Sequence, residues 1–128
     1  MPHITIEYSA NLDDLHDVQS LVDAVHAAAL DDGLPALVAL RTRAARRENY
    51  RIAGGDPAHV FVAIIARIGP GRSDAAKHRF IEALIGAAEA ELAHLEPKNA
   101  CAFSVEVQEI DAEFRINRNH IRAKVLEA

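Results

Sequence analysis

The spacing of apolar residues changes period in the same order in both halves of this chain, and that repeat restricts its fold more than any other feature. His3 to Tyr8 alternate, with Ile4 and Ile6 on one side and Thr5 and Glu7 on the other, which predicts a strand. Ser9 to Asn11 read as a turn, with Asn11 as a helix N-cap and Asp13 and Asp14 in the first turn. Leu15, Val18, Leu21, Val22, Val25, Ala28 and Ala29 follow at helical spacing until Gly33 and Pro35. Leu37 to Ala44 read as a strand, and Tyr50 to Ala53 as a short one after a turn. Gly54 to Pro57 punctuate the chain. Val60 to Ile68 then predict a buried strand. Gly69-Pro70-Gly71-Arg72-Ser73 is a tight turn, with Ser73 capping a helix marked by Phe80, Ile81, Leu84, Ile85, Ala88, Leu92 and Leu95 and ended by Pro97. Ala102 to Val107 give another strand, and a tail from Arg115 to Val125 carries Asn117, Asn119 and His120.

Two β-α-β units imply an α/β (α+β) domain: a four-stranded sheet with two helices on one face. The units run from about 2 to 53 and 58 to 110, followed by a tail at 111–128, and the 128 residues suit one domain. Half of the residues are hydrophobic but only 5% are aromatic, so the core must come from Ala, Val, Ile and Leu. Val60, Val62, Ile64 and Ile65 make the third strand apolar on both faces. Copies of the chain are the simplest cover for the second face, so a homo-oligomer is expected.

The formal net charge is −5, from 14 Lys and Arg against 19 Asp and Glu. That overall field does not attract nucleic acid or an anionic membrane, so an anion must be held by a local basic cluster. No apolar run approaches the roughly 20 residues that span a bilayer. Cys101 is the sole cysteine, and a start without a leader pattern points to the cytoplasm.

Three groups could carry chemistry. Removal of Met1 would leave Pro2 with a free secondary amine, a candidate general base once burial or nearby cations lower its pKa. A Met-Pro start by itself indicates only trimming; here Pro2 also begins a core strand, which fixes its position. Arg41 and Arg43 project to one side of their strand, where two readings stand side by side: guanidiniums that suit carboxylates because they bind both oxygens, or a solvated strand edge protected by charge. Arg46 and Arg47, beside a turn, fit the solvated edge. The turn at Gly69 to Ser73 offers backbone amides and the charge of Arg72, without a dinucleotide or P-loop signature. None of the seven histidines has zinc-protease spacing; His3 and His120 could lie near a site.

In order along the chain, several of these residues resemble the 5-carboxymethyl-2-hydroxymuconate Δ-isomerases of the tautomerase superfamily. They are Pro2-His3, Glu7-Tyr8-Ser9, Asn11-Leu12, Arg41-x-Arg43-Ala44-x-Arg46, Tyr50-Arg51-Ile52-Ala53, Ile68-Gly69-x-Gly71-Arg72-Ser73 and Asn119-His120-Ile121. The resemblance implies a homotrimer whose sheets line a central barrel, and a role in bacterial breakdown of homoprotocatechuate. It implies a cofactor-free isomerase acting on a dienol with three carboxylates, with no metal. Pro2 would move a proton from the enol oxygen to carbon. Arg41 and Arg72 would bind carboxylates and spread charge, with Arg43 and His3 as further substrate-binding residues. Pro70 between two glycines and the stretch 97–102 depart from the family pattern. Other activities on this scaffold are a phenylpyruvate-type tautomerase, a hydratase or dehalogenase, and a non-enzymatic trimeric binding protein.

Overall fold

The computed structural model describes residues 2–127; Met1, whose removal the sequence reading requires, lies outside them. The strands are β1 (His3–Ser9), β2 (Arg41–Arg47), β3 (Val60–Ile68) and β4 (Cys101–Glu109). Helix α1 (Val18–Asp32) joins β1 to β2, and α2 (Asp74–Glu91) joins β3 to β4. A short helix, α3 (Ile121–Glu127), ends the described chain. One sheet results, in the order β2-β1-β3-β4. Within each β-α-β unit the strands are parallel, while β1 and β3 meet antiparallel at the centre.

Alternation decides which side of the sheet is covered. Ile4, Ile6, Val60, Val62, Ile64, Ala66 and Ile68 point at the helices and are buried. Leu21, Val25 and Ala29 of α1 and Phe80, Leu84 and Ala88 of α2 meet them, spaced by four residues on one face of each helix. Burying each large aliphatic side chain contributes about 1.5–3 kcal/mol, so this layer is the main source of stability. The small residues Ala29 and Ala88, both fully buried, let the helices approach closely. The helices are also pinned to each other, because Arg79 Nε donates to Asp32 Oδ1 at 3.1 Å. The opposite face carries His3, Thr5, Phe61, Ala63 and Ile65, which are only half-buried.

The structure corrects four boundaries. Helix α1 starts at Val18 under an Asp17 cap, whose side chain accepts from the Gln19 N–H, and not at Asn11. Asn11 lies in a 3₁₀ turn (Ala10–Asp14) and ties distant segments together: Nδ2 donates to His59 O at 2.7 Å and to Pro57 O at 3.2 Å. Strand β2 begins at Arg41, since Leu37 to Ala39 form a turn in which Leu37 is 63% exposed. Tyr50 to Ala53 form no strand; they pair with neither edge of the sheet and lead into a turn closed by Gly55 N–H to Ile52 O at 2.9 Å. Finally α2 ends at Glu91, although Leu92 and Leu95 still pack inward beyond it. The Ser73 cap is as expected, with Oγ accepting from the Ala76 N–H at 3.1 Å.

Candidate active site

Four chain segments meet at one end of the sheet, and the strand directions dictate which. Because β1 runs antiparallel to β3, His3 lies opposite Arg67, which places Pro2 beside the turn that follows Ile68. Because β2 runs parallel to β1, Arg41 lies opposite His3, and its N–H donates to Pro2 O at 3.3 Å. Because β4 runs parallel to β3, the tail leaves from the same end, with Ile110 N–H donating to Ile68 O at 2.8 Å.

A cavity of about 190 Å³ opens there, lined by Pro2, Leu34, Ile68, Gly69, Pro70, Arg72 and Arg115. Pro2 and Leu34 are buried, while Arg72 stands exposed at the wall. Local backbone fixes Arg72 on both sides. Gly71 has φ 105°, a conformation that side-chain-bearing residues rarely adopt, and Ser73 is held as the α2 cap. The lining contains two guanidiniums and no carboxylate, and neither has an ion-pair partner among the described residues. In a chain of net charge −5, that is a local concentration of positive charge of the kind an anion requires. The lining also lacks imidazole and thiol groups, so it offers no metal-binding set. A larger hollow of about 410 Å³ lies between α2 and β4, but Lys77 there is already paired with Asp74 and Glu109.

The residues singled out from sequence divide accordingly. Pro2 and Arg72 share the cavity wall. Arg41 stands next to it, half-buried, with Nη2 donating to Asn117 Oδ1 at 3.5 Å. Arg43 and His3 form a pair on the uncovered sheet face, where Arg43 Nη1 donates to His3 Nδ1 at 3.2 Å. A guanidinium has no acceptor, so this contact requires an unprotonated Nδ1. Burial, then the charges of Arg43 and Arg41, hold the His3 pKa below its usual value. His120 is exposed. Arg46 and Arg47 lie at the far end of β2 and are neutralised there, Arg46 by Asp13 and Glu48 and Arg47 by Glu7. Arg115 was not foreseen as a cavity residue. In sequence it is one arginine in a short polar and apolar tail, and only the path of the tail brings it in.

Among the described residues, no helix is long and apolar enough to cross a membrane. Residues 2–125 match the family of 5-carboxymethyl-2-hydroxymuconate isomerases. The chain is 25% identical over 123 residues to the 5-carboxymethyl-2-hydroxymuconate Δ-isomerase of Escherichia coli, covering 96% of this chain and 98% of that one. It superimposes on the crystal structure of a 5-carboxymethyl-2-hydroxymuconate isomerase from Deinococcus radiodurans R1 with a TM-score of 0.86. The identity is 26%, over 97% of this chain and 93% of that one. A fused 4-OT symmetric trimer shares the fold at a TM-score of 0.62 and 19% identity, over 84% of this chain and 85% of that one.

Proposed function

The chain belongs to the 5-carboxymethyl-2-hydroxymuconate isomerase family, and from that premise we propose that Pro2 is the general base of a cytoplasmic, cofactor-free dienol isomerisation. The substrate is a carboxylated dienol of the 5-carboxymethyl-2-hydroxymuconate type, formed in breakdown of homoprotocatechuate. The free amine of Pro2 takes the proton from the enol oxygen. The electron pair shifts through the conjugated system, and the prolinium returns a proton to carbon, leaving the conjugated ketone. No redox change occurs.

The observation that carries this reading is that Pro2 is buried on the wall of a cavity that also holds Arg72. Nearby guanidiniums disfavour the prolinium and so keep the amine able to accept a proton. Arg72 and Arg41 bind substrate carboxylates and stabilise the charge that develops on the carbonyl oxygen. Arg43 and His3 are further substrate-binding residues on the flank of β1 and β2. The half-buried Phe61, Ala63 and Ile65 support a homotrimer in which the sheets face one another.

The test joins mass spectrometry of the purified native protein to a turnover assay with 5-carboxymethyl-2-hydroxymuconate. The mature chain is expected to begin at Pro2. Loss of a positioned base costs roughly 10²- to 10⁴-fold in rate; Pro2→Ala exchanges the ring-held secondary amine for a less constrained primary one, so its turnover should fall by up to that factor while it keeps its oligomeric state. Unchanged turnover, or a native chain that retains Met1, refutes the mechanism. Arg72→Ala should weaken carboxylated substrates more than uncharged enols.

A further inference from the structure

The tail residue Arg115 is placed against the usual rule for where charge goes. Its neighbours Phe114 and Ile116 are 82% and 80% exposed, whereas Arg115 between them turns inward to line the cavity beside Pro2 and Arg72. Its Nε is buried and has no hydrogen-bond partner, the one such side-chain atom among the described residues. A buried donor left unpaired is costly, so an inward guanidinium with an unsatisfied Nε–H needs a reason that packing does not supply.

The backbone holds Arg115 there deliberately at both ends. Ahead of it, Ile110 is bonded to the end of β3, and a 3₁₀ turn (Ala112–Phe114) is capped by Asp111, which accepts from the Glu113 N–H at 3.0 Å. Behind it, Asn119 Nδ2 donates to Val38 O at 2.7 Å, fastening the tail to the loop that precedes β2. Between these anchors Arg115 is in ordinary extended backbone, and Asn117 meets Arg41. The tail therefore forms one wall of the cavity.

We propose that Arg115 is a substrate-binding residue that receives a second carboxylate of the substrate and so selects polycarboxylates over monocarboxylates. Arg115 lines the cavity, so a carboxylate held there meets its guanidinium, which can grip both oxygens at once, and a shift of the side chain on binding would bring the occluded Nε–H into that pair. Arg72 is left for the other end of the same substrate. The inference rests on the proposed reading of the cavity as an active site, but its binding arm does not need turnover.

The test compares wild type, Arg115→Gln and Arg115→Lys. Calorimetric titration with glutarate and with butyrate measures the preference for a dicarboxylate directly. Wild type should bind glutarate the more tightly, and Arg115→Gln should lose about 10- to 100-fold on glutarate with little change on butyrate, the range of one charge-assisted contact. Arg115→Lys should recover part of the loss. With the carboxymethyl-hydroxymuconate, KM should rise by a similar factor while kcat stays within about threefold. Equal effects on glutarate and butyrate, or none, overturn the proposal. A thermal melt of each variant checks folding, and Arg115→Lys keeps the test decisive if Arg115→Gln does not fold. If glutarate selectivity depends on Arg115 but Pro2→Ala turns over normally, this assignment stands and the catalytic reading fails.

Discussion

Asn11 offers a sharp test of how this fold is held, because its two readings predict opposite responses to one substitution. As a helix N-cap it would be replaceable by Asp or Ser at little cost, since all three are good caps. In the structure it is a cross-link. Oδ1 accepts from Ser9 Oγ at 2.7 Å, and Nδ2 donates to His59 O and Pro57 O at 2.7 and 3.2 Å. Ser9, fully buried, in turn accepts from the Phe61 N–H at 3.0 Å. The end of β1 is thus stitched to the start of β3 across about 50 positions. Asn11→Ala removes three hydrogen bonds worth about 1 kcal/mol each, less what water recovers on the exposed side, for about 2 kcal/mol in all. Asn11→Asp should be worse, about 3 kcal/mol, because a carboxylate oxygen would face two carbonyl oxygens with no proton to share. Urea unfolding at fixed protein concentration measures both, with the concentration held constant because oligomerisation feeds into apparent stability. Asn11→Asp as stable as wild type would refute the cross-link.

Gly71→Ala should destabilise by at least about 1–2 kcal/mol, since a Cβ there meets nothing within 4 Å and the whole cost is the φ of 105°. Activity should fall further than stability, because Arg72 is the next residue; a fall in stability alone would show that Arg72 is not positioned by this turn. Burial pushes the Cys101 thiol up to about 11. At pH 8 its thiolate should then be on the order of 0.1%, against roughly 25% for an ordinary thiol, so native alkylation by iodoacetamide should be more than ~100-fold slower than after unfolding. Rapid labelling of the native protein would contradict the burial. The lowered His3 pKa has a defined sign: the contribution to stability is complete above about 6.5, the unfolded value, and is lost as pH falls from there through the folded value. Arg43→Gln, which deletes the second cause of the shift, should move the NMR titration of His3 upward, and an unmoved midpoint would remove Arg43 from the account.

What could be read from the chain, and what could not, divides along a physical line. Strands β1 and β3 and the Ser73 cap were legible because each depends on residues adjacent in sequence: alternation in Ile4 and Ile6, a hydroxyl three residues before an N–H. Pro2, Arg41 and Arg72 were legible as candidates through chemical type and family resemblance. Several of the failures involve partners far away. An Asn beside a turn has the same signature whether it caps a helix or bridges to residue 59. Tyr50, Ile52 and Ala53 have strand-like composition but no neighbouring strand, and Ala53 takes φ 50° in a turn instead. Leu37 and Val38 look like strand residues, yet they form the turn that carries the chain back from Gly33 to the sheet edge. Arg115 is the extreme case, because its role depends on where residues 110 and 119 are tied.

The candidate site in turn depends on one topological fact, the antiparallel meeting of β1 with β3. Two β-α-β units could also be joined with all four strands parallel. The start of β1 would then lie at the opposite end of the sheet from the turn after β3, a strand length away. Nine residues of β3 at about 3.3 Å each make that nearly 30 Å, far beyond the reach of a guanidinium. Reversing the second unit instead brings Pro2, the Gly69–Ser73 turn, the start of β2 and the departing tail to one place. The loop from Glu48 to His59 makes that reversal possible, and the Asn11 and Ser9 bonds clamp it at the far end of the same strands. The clamp and the cavity are therefore two ends of a single arrangement: one fixes the relative register of β1 and β3, and the other uses it.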